Sequence, residues 1–357
     1  MRPDPDAFAA VLCDWCLEAR EGDQVLVAAT EPSMQLALAV HGALLERGAW
    51  PLMRLSAAAL AESFYRHAMD THLDGFAPLE LTEAQKADAF LTINAPTNTR
   101  ALAAVDPAQI ARVGRARSPI QEARLAARWC GTLWPTAAGA QQAGMSDDDY
   151  AKFVTKALFL DRPDPVEAWK ELTDLQAKLV GRLAVAREIR IEGPDTDLRL
   201  RVDGRTWINS DGKHNMPSGE VFTGPLEDSA NGTIRFTVPS SPSGVEVADI
   251  RLTFEQGRVI EAEAQRGDEY LQAALQTDAG ARFLGEIGIG TNVGIDRPTG
   301  SILLDEKMAG TVHLALGRSY PITGGTNQSA LHWDMICDLR DGGRLSVDGE
   351  TLSLTGR

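Results

Sequence analysis

The sequence predicts an α/β N-terminal domain with a parallel sheet, followed by a mixed, strand-rich α+β C-terminal domain carrying a metal site. Three observations predict it. Short apolar runs alternate with helical periods up to about residue 186, the pattern of βαβ units and a sheet covered on both faces. From Arg187 onward helical patterns become sparse, and short strand-like runs separated by glycine turns replace them. Histidines and carboxylates that a fold does not need fall in that second half. At roughly 150 residues per domain, 357 residues make about two domains. The expected division is 1–186 and 187–357.

The elements follow in order. Asp6 to Glu21 reads as a helix closed by Gly22 and Asp23, and Gln24 to Ala29 is a run of buried-strand type. Pro32 to Gly48 has proline in its first turn and glycine at its end, the signature of a helix. Trp50 to Leu55 is the next strand, Ala57 to Met69 a helix, Ala87 to Ile93 a strand, Pro107 to Arg117 a helix and Arg128 to Leu133 a fourth strand. Ser146 to Leu158 and Pro165 to Ala186 are helices, separated where Pro163 and Pro165 break the pattern and Asp164 caps the second. Strands are expected at Glu188–Ile191, Leu198–Val202, Gly232–Val238, Asp249–Phe254 and Arg258–Ala264, with a helix from Asp268 to Thr277.

Composition excludes whole classes of function. Hydrophobic residues are 44% and charged residues 24%, the balance of a soluble globular chain rather than a disordered or fibrous one. The net charge of −15 repels phosphate backbones and anionic membranes, so neither nucleic acid nor a membrane is expected as a partner. No run approaches the roughly 18 apolar residues needed to span a bilayer. The start, Met1 to Asp6, carries acids and prolines where a secretory signal needs basic residues before an apolar run. A cytoplasmic location is therefore expected. The four cysteines are too few for a disulfide scaffold. Cys13 and Cys16 form a CxxC on a helix that no strand precedes, which is not a redox context, so buried inert thiols are expected.

Chemistry concentrates in a few segments. His332 and Asp334 are two apart, and on a strand they share one face, a ready pair of metal ligands or a hydrogen-bonded pair at a sheet edge. His313 alternates with apolar residues between Gly310 and Gly317. Glu220 and Glu286 are each flanked by glycine on one side and apolar residues on the other. Burying such groups unpaired is costly, so something should satisfy them. The spacing of Gly288, Gly290 and Gly294 lacks the GxGxxG pattern and a following helix, no GxxxxGK[ST] loop exists, and no GxSxG elbow marks a serine nucleophile. No organic cofactor is expected. Three carboxylates and two histidines are too many ligands for one open zinc site. They suit two divalent ions about 3.5–4 Å apart, where two cations and a bridging hydroxide give a near-neutral cluster. Without the ions, three carboxylates would repel one another.

Four segments carry a family resemblance. They are Asn215 to Pro225, Gly285 to Asn292, Gly310 to Gly317 with Tyr320 behind it, and Gly324 to Asp334. They resemble the thermophilic metallo-aminopeptidases of the aminopeptidase T and aminopeptidase S type, and the N-terminal half also looks like that family's α/β domain. The resemblance implies the metal ligands Glu220, Glu286, His313, Tyr320, His332 and Asp334, in that chain order. It implies two divalent ions per chain, zinc first, with cobalt or manganese as alternatives. The implied activity is removal of N-terminal residues from peptides with a free amine, by hydroxide attack at the two-metal site. Tyr320 would hold the developing oxyanion or act as a ligand, and Glu220 or Glu286 would pass a proton to the leaving amine. Asn215, Asn327 and Ser329 are either orienting groups or turn residues. A homodimer is implied by the resemblance alone. The segment from Tyr320 to His332 is short for the family. A dihydroxypyridine ring-cleaving dioxygenase resembles the same family, and His313, His332 and Asp334 alone would make its mononuclear non-haem iron triad. The presence of both Glu220 and Glu286 favours the peptidase.

Overall fold

The computed structural model describes residues 2–354. Its residues cluster into two compact units. One runs up to Ala168 and includes Gly212–Pro217; the other consists of Trp169–Asp211 and the chain from Ser218 on. The expected boundary near residue 186 lies in the turn after the long helix Pro165–Leu183, most of which clusters with the strand-rich unit.

The first unit is the expected α/β domain. Its sheet contains β1 (Gln24–Thr30), β2 (Trp50–Ser56), β3 (Ala89–Asn94) and β4 (Arg128–Leu133) in the order β2-β1-β3-β4, all parallel. Val25 and Val27 of β1 and Ala89 and Leu91 of β3 are fully buried, as a central parallel sheet requires. The edge strand β2 instead exposes Trp50, Leu52 and Leu55. Helices start where side chains can cap them: Asp4 before Pro5–Ala10, Asp106 before Pro107–Ala116 and Ser146 before Asp147–Ala157.

Two expectations are corrected here. The first helix does not reach Glu21. It widens into a π-helical stretch, Val11–Cys16, and the chain turns off at Glu18, whose φ is 47°. The helix expected at Ala57 to Met69 contracts to Leu60–His67. Helices at Pro78–Lys86 and Ser118–Ala126 add cover that periodicity did not reveal. All four cysteines are buried free thiols, and burial pushes Cys13 up to about 12.

The second unit is antiparallel. Its strands are β5 (Glu188–Gly193), β6 (Thr196–Arg201), β7 (Ile208–Ser210), β9 (Glu220–Thr223), β10 (Asn231–Phe236), β11 (Ala248–Glu255), β12 (Arg258–Arg266), β13 (Leu284–Gly290), β14 (Thr311–Gly317), β15 (His332–Asp338), β16 (Arg344–Val347) and β17 (Glu350–Leu352). The two-residue β8 (Asn215–Met216) pairs with β4 in the first unit. Seven strands form one sheet in the order β12-β11-β10-β6-β5-β16-β17, and five form another in the order β15-β14-β13-β9-β7. A single apolar core joins them, with Leu198, Ile234, Ile250 and Leu252 from the first sheet and Ile287, Ile289, Val312, Leu314 and Met335 from the second. Strand alternation then dictates what the other face of the five-stranded sheet shows.

Among the described residues no helix is long and apolar enough to cross a membrane.

Candidate metal centre

With Ile287 and Ile289 turned to the core, β13 presents Glu286 and Gly288 on its opposite face. The same rule turns His313 and Ala315 of β14, His332 and Asp334 of β15, and Glu220 of β9 outward from the core. Register completes the arrangement. Ala315 lies opposite both Glu286 and Asp334, so a small side chain separates two carboxylates across three adjacent strands. Gly288 lies opposite His313, and a Cβ there would meet the imidazole at 2.1 Å. The glycine leaves the space that the ring occupies.

One ligand atom each from Glu286, His313 and Asp334 falls within a 4.8 Å group. His313 Nε2 is 3.3 Å from Glu286 Oε1 and 3.5 Å from Glu220 Oε2. His332 Nε2 is 3.5 Å from Asp334 Oδ2 and 3.9 Å from Glu286 Oε2. Five of the six residues expected from the sequence therefore meet in one place. Tyr320 stands at the rim, partly exposed, its ring centroid 5.2 Å from that of His332 and 5.9 Å from that of Phe222. His332 Nδ1 lies 2.8 Å from the Arg318 carbonyl oxygen. That contact requires Nδ1 to carry the proton, which leaves the Nε2 lone pair facing the carboxylates.

The electrostatics follow from crowding charge in a buried place. Glu220 Oε2, Glu286 Oε2 and Asp334 Oδ1 are buried with no hydrogen-bond partner, as is His313 Nδ1. Native proteins leave few such groups, and each asks for a counterpart. Burial and the neighbouring Asp334 and Glu220 charges raise the Glu286 carboxyl above its usual range, against the pull of His313. Burial disfavours charge on His313, yet the Glu286 hydrogen bond and the Glu220, Glu286 and Asp334 charges lift it to about 9. Mixed imidazole and carboxylate donors with free oxygens suit divalent cations such as zinc or manganese.

Two residues of this site give no signal in the sequence. Lys307 is fully buried, with Nζ 3.1 Å from Glu220 Oε1 and in contact with Glu306. Gln176, on helix Pro165–Leu183, is also fully buried. Its amide donates to the Glu220 carbonyl oxygen at 3.0 Å and to the Ser210 carbonyl oxygen at 3.1 Å, and it accepts from Thr291 at 2.9 Å. The turn into β9 uses Gly219 at φ 115°, where a Cβ would lie 2.8 Å from Asn292. Of the three accessory candidates, Asn327 donates to the Gly280 and Gly317 carbonyl oxygens, and Ser329 bonds to Asp278. Both hold the loop before β15 in place. Asn215 lies in β8, in the other unit.

Residues 3–352 match the family model described as thermophilic metalloprotease (M29). The chain belongs to the thermophilic metalloprotease (M29) family. Relatives within reach bear related names. Aminopeptidase 2 of Geobacillus stearothermophilus is 32% identical over 312 residues, covering 75% of this chain and 73% of its own. Aminopeptidase T of Thermus thermophilus is 29% identical, covering 71% and 70%. The solved structure of wild-type AmpT from Thermus thermophilus superposes with a TM-score of 0.83 at 24% identity, over 99% of this chain and 98% of that one, and shares the fold. The 2,5-dihydroxypyridine dioxygenase of Pseudomonas putida KT2440 has a TM-score of 0.58 at 17% identity, over 99% and 95%. It is a more distant holder of the same fold. Membership of the M29 family places the chain among metal-dependent peptidases.

Proposed function

We propose that this protein is an aminopeptidase that removes N-terminal residues from peptides, using two divalent metal ions held by Glu220, Glu286, His313, His332 and Asp334, with Tyr320 beside them. One observation carries the reading: carboxylates from three different strands gather around His313 and His332, each with a buried oxygen that has no hydrogen-bond partner. Zinc is the expected ion, and cobalt or manganese suits the same donors. When bound, the ions would supply Lewis acidity and a hydroxide nucleophile near neutral pH.

The chain's own groups do the rest. Glu286 directs one oxygen toward each histidine and so spans the cluster. The Arg318 carbonyl keeps the His332 Nε2 lone pair pointed inward. Tyr320, at the exposed rim, offers a phenolic O–H to the oxygen of the scissile carbonyl as negative charge develops there. Proton transfer to the leaving amine falls to one of the two glutamates, Glu220 or Glu286. The expected substrate is a peptide with a free α-amine. A homodimer belongs to the same reading, supported by the apolar edge that β2 exposes at Trp50, Leu52 and Leu55. A cytoplasmic location also belongs to it.

Metal analysis joined to hydrolysis of a leucyl-anilide tests the proposal. Two ions per chain are expected, with activity lost on chelation, restored by zinc or cobalt, and absent on an N-blocked substrate. A single iron per chain with oxygen uptake on a hydroxylated pyridine would instead establish the dioxygenase chemistry of the 2-His-1-carboxylate subset.

A further inference from the structure

Lys307 follows Glu306, which caps the short helix Ile302–Asp305, and is anchored by its backbone, whose carbonyl oxygen accepts from the Asn292 N–H at 2.9 Å. Its side chain has no exposed surface. An ammonium removed from water needs paired charge, and this one has two partners, Glu220 and Glu306.

The consequence falls on Glu220. Its Oε1 is taken by Lys307 at 3.1 Å, whereas its Oε2 is partnerless and 3.5 Å from His313 Nε2. Glu286 differs, with one oxygen toward His313 and the other toward His332. The two glutamates therefore present different faces to a cation. One spans the cluster; the other has a single oxygen to give.

We infer that Lys307 is a positioning residue: it occupies one oxygen of Glu220, so that Glu220 meets the metal cluster as a one-oxygen ligand, and it offsets part of the carboxylate charge while the cluster is empty. This rests on the two-metal reading above. Removing the ammonium frees Glu220 to present both oxygens and leaves Glu220 and Glu306 without their shared cation, beside Glu286 and Asp334.

The test uses the full chain, metal-free and cobalt-loaded, as wild type, Lys307→Met and Lys307→Met/Glu306→Gln. The double variant removes the pair together, so Glu306 is not left as an uncompensated charge. In both variants two cobalt ions per chain are still expected to bind. Their visible d–d absorption should lose intensity as Glu220 adds an oxygen to the coordination sphere. The rise in melting temperature on metal loading should widen, because without Lys307 only the loaded form has cations to offset the carboxylates. Turnover should fall by about tenfold or more, the range seen when an outer partner of a metal ligand is removed. If wild type binds two ions and the variants keep its cobalt spectrum and its metal-dependent melting shift, Lys307 is only a packing residue and the inference is overturned. If wild type itself takes up fewer than two ions, the two-metal reading fails and takes this inference with it.

Discussion

Arg190 and His313 occupy strands of two sheets that share one apolar core, yet their surroundings are opposite. On the seven-stranded sheet charge faces water and is paired. Arg190 makes a two-point contact with Asp197 at 2.8 Å, Arg344 reaches Glu192 at 2.6 Å, and Arg235 meets Asp249. On the five-stranded sheet charge lies on the face away from the core yet is buried, and key oxygens have no hydrogen-bond partner. A solvent-facing side chain with its counter-ion has its charge satisfied and asks for nothing more. A buried one without a partner is costly to keep, and it marks where a ligand belongs.

The largest expected effect breaks the contrast at its centre. Glu286→Ala or His313→Ala should abolish metal uptake and lower kcat/KM by well over about 100-fold, more than is lost when only an outer partner of a ligand is removed. Circular dichroism should show the fold retained. Retained hydrolysis and metal content after either change would remove the site from the mechanism.

Gly288→Ala is the next test. The added methyl enters the space of the His313 ring, so metal affinity should fall. The metal-free protein should lose about 1–3 kcal/mol, the usual cost of overpacking, measured by urea unfolding. An unchanged affinity would mean that the ring does not depend on that space.

A buried carboxylate with partners sharpens the comparison. Asp305 is 2% exposed and accepts from the Thr299 N–H and hydroxyl and from the Gly300 N–H. Burial raises it from 3.8 to about 6, with the hydrogen bonds opposing. A raised acid binds more protons in the folded than in the unfolded state between those two values. Stability from this group is thus complete below about pH 4 and lost as pH rises through about 6, a change of roughly 3 kcal/mol at most. Asp305→Asn should flatten that part of the stability profile of the metal-free chain while leaving metal stoichiometry at the wild-type value. A profile of the same slope in the variant would assign the titration elsewhere.

The smallest effect belongs to the outer sheet. Arg190→Ala should cost less than about 1 kcal/mol in thermal unfolding and leave metal content unchanged, as expected of half-exposed ion pairs. A larger loss, or a change in metal uptake, would erase the distinction between the two sheets.

Much of this was legible in the sequence, for physical reasons. The parallel strands of the first unit are short continuous apolar runs, and β5, β6, β10, β11 and β12 alternate visibly, so both fold classes could be read. The candidate ligands stood out because acids and imidazoles lay between glycines and apolar residues. What hid β13 was the same glycines: Gly285, Gly288 and Gly290 carry no side chain to alternate, and they serve close approach, each lacking room for a Cβ. Lys307 follows Asp305 and Glu306, a charge run that looks solvated until tertiary packing encloses it. Gln176 sits on a helix of ordinary amphipathic character, and only its partners on other elements reveal what its amide does.

That glutamine has a practical consequence for dissecting the molecule. A fragment cut at residue 187 would carry every proposed ligand but lose the helix whose amide braces the Glu220 backbone. A fragment begun at Trp169 would keep the brace, but it would also carry Gly212–Pro217, six residues that cluster with the other half. The half that carries the proposed ligands therefore has no clean excision point, and trimming it to a stand-alone fragment would call for a redesigned link across that excursion.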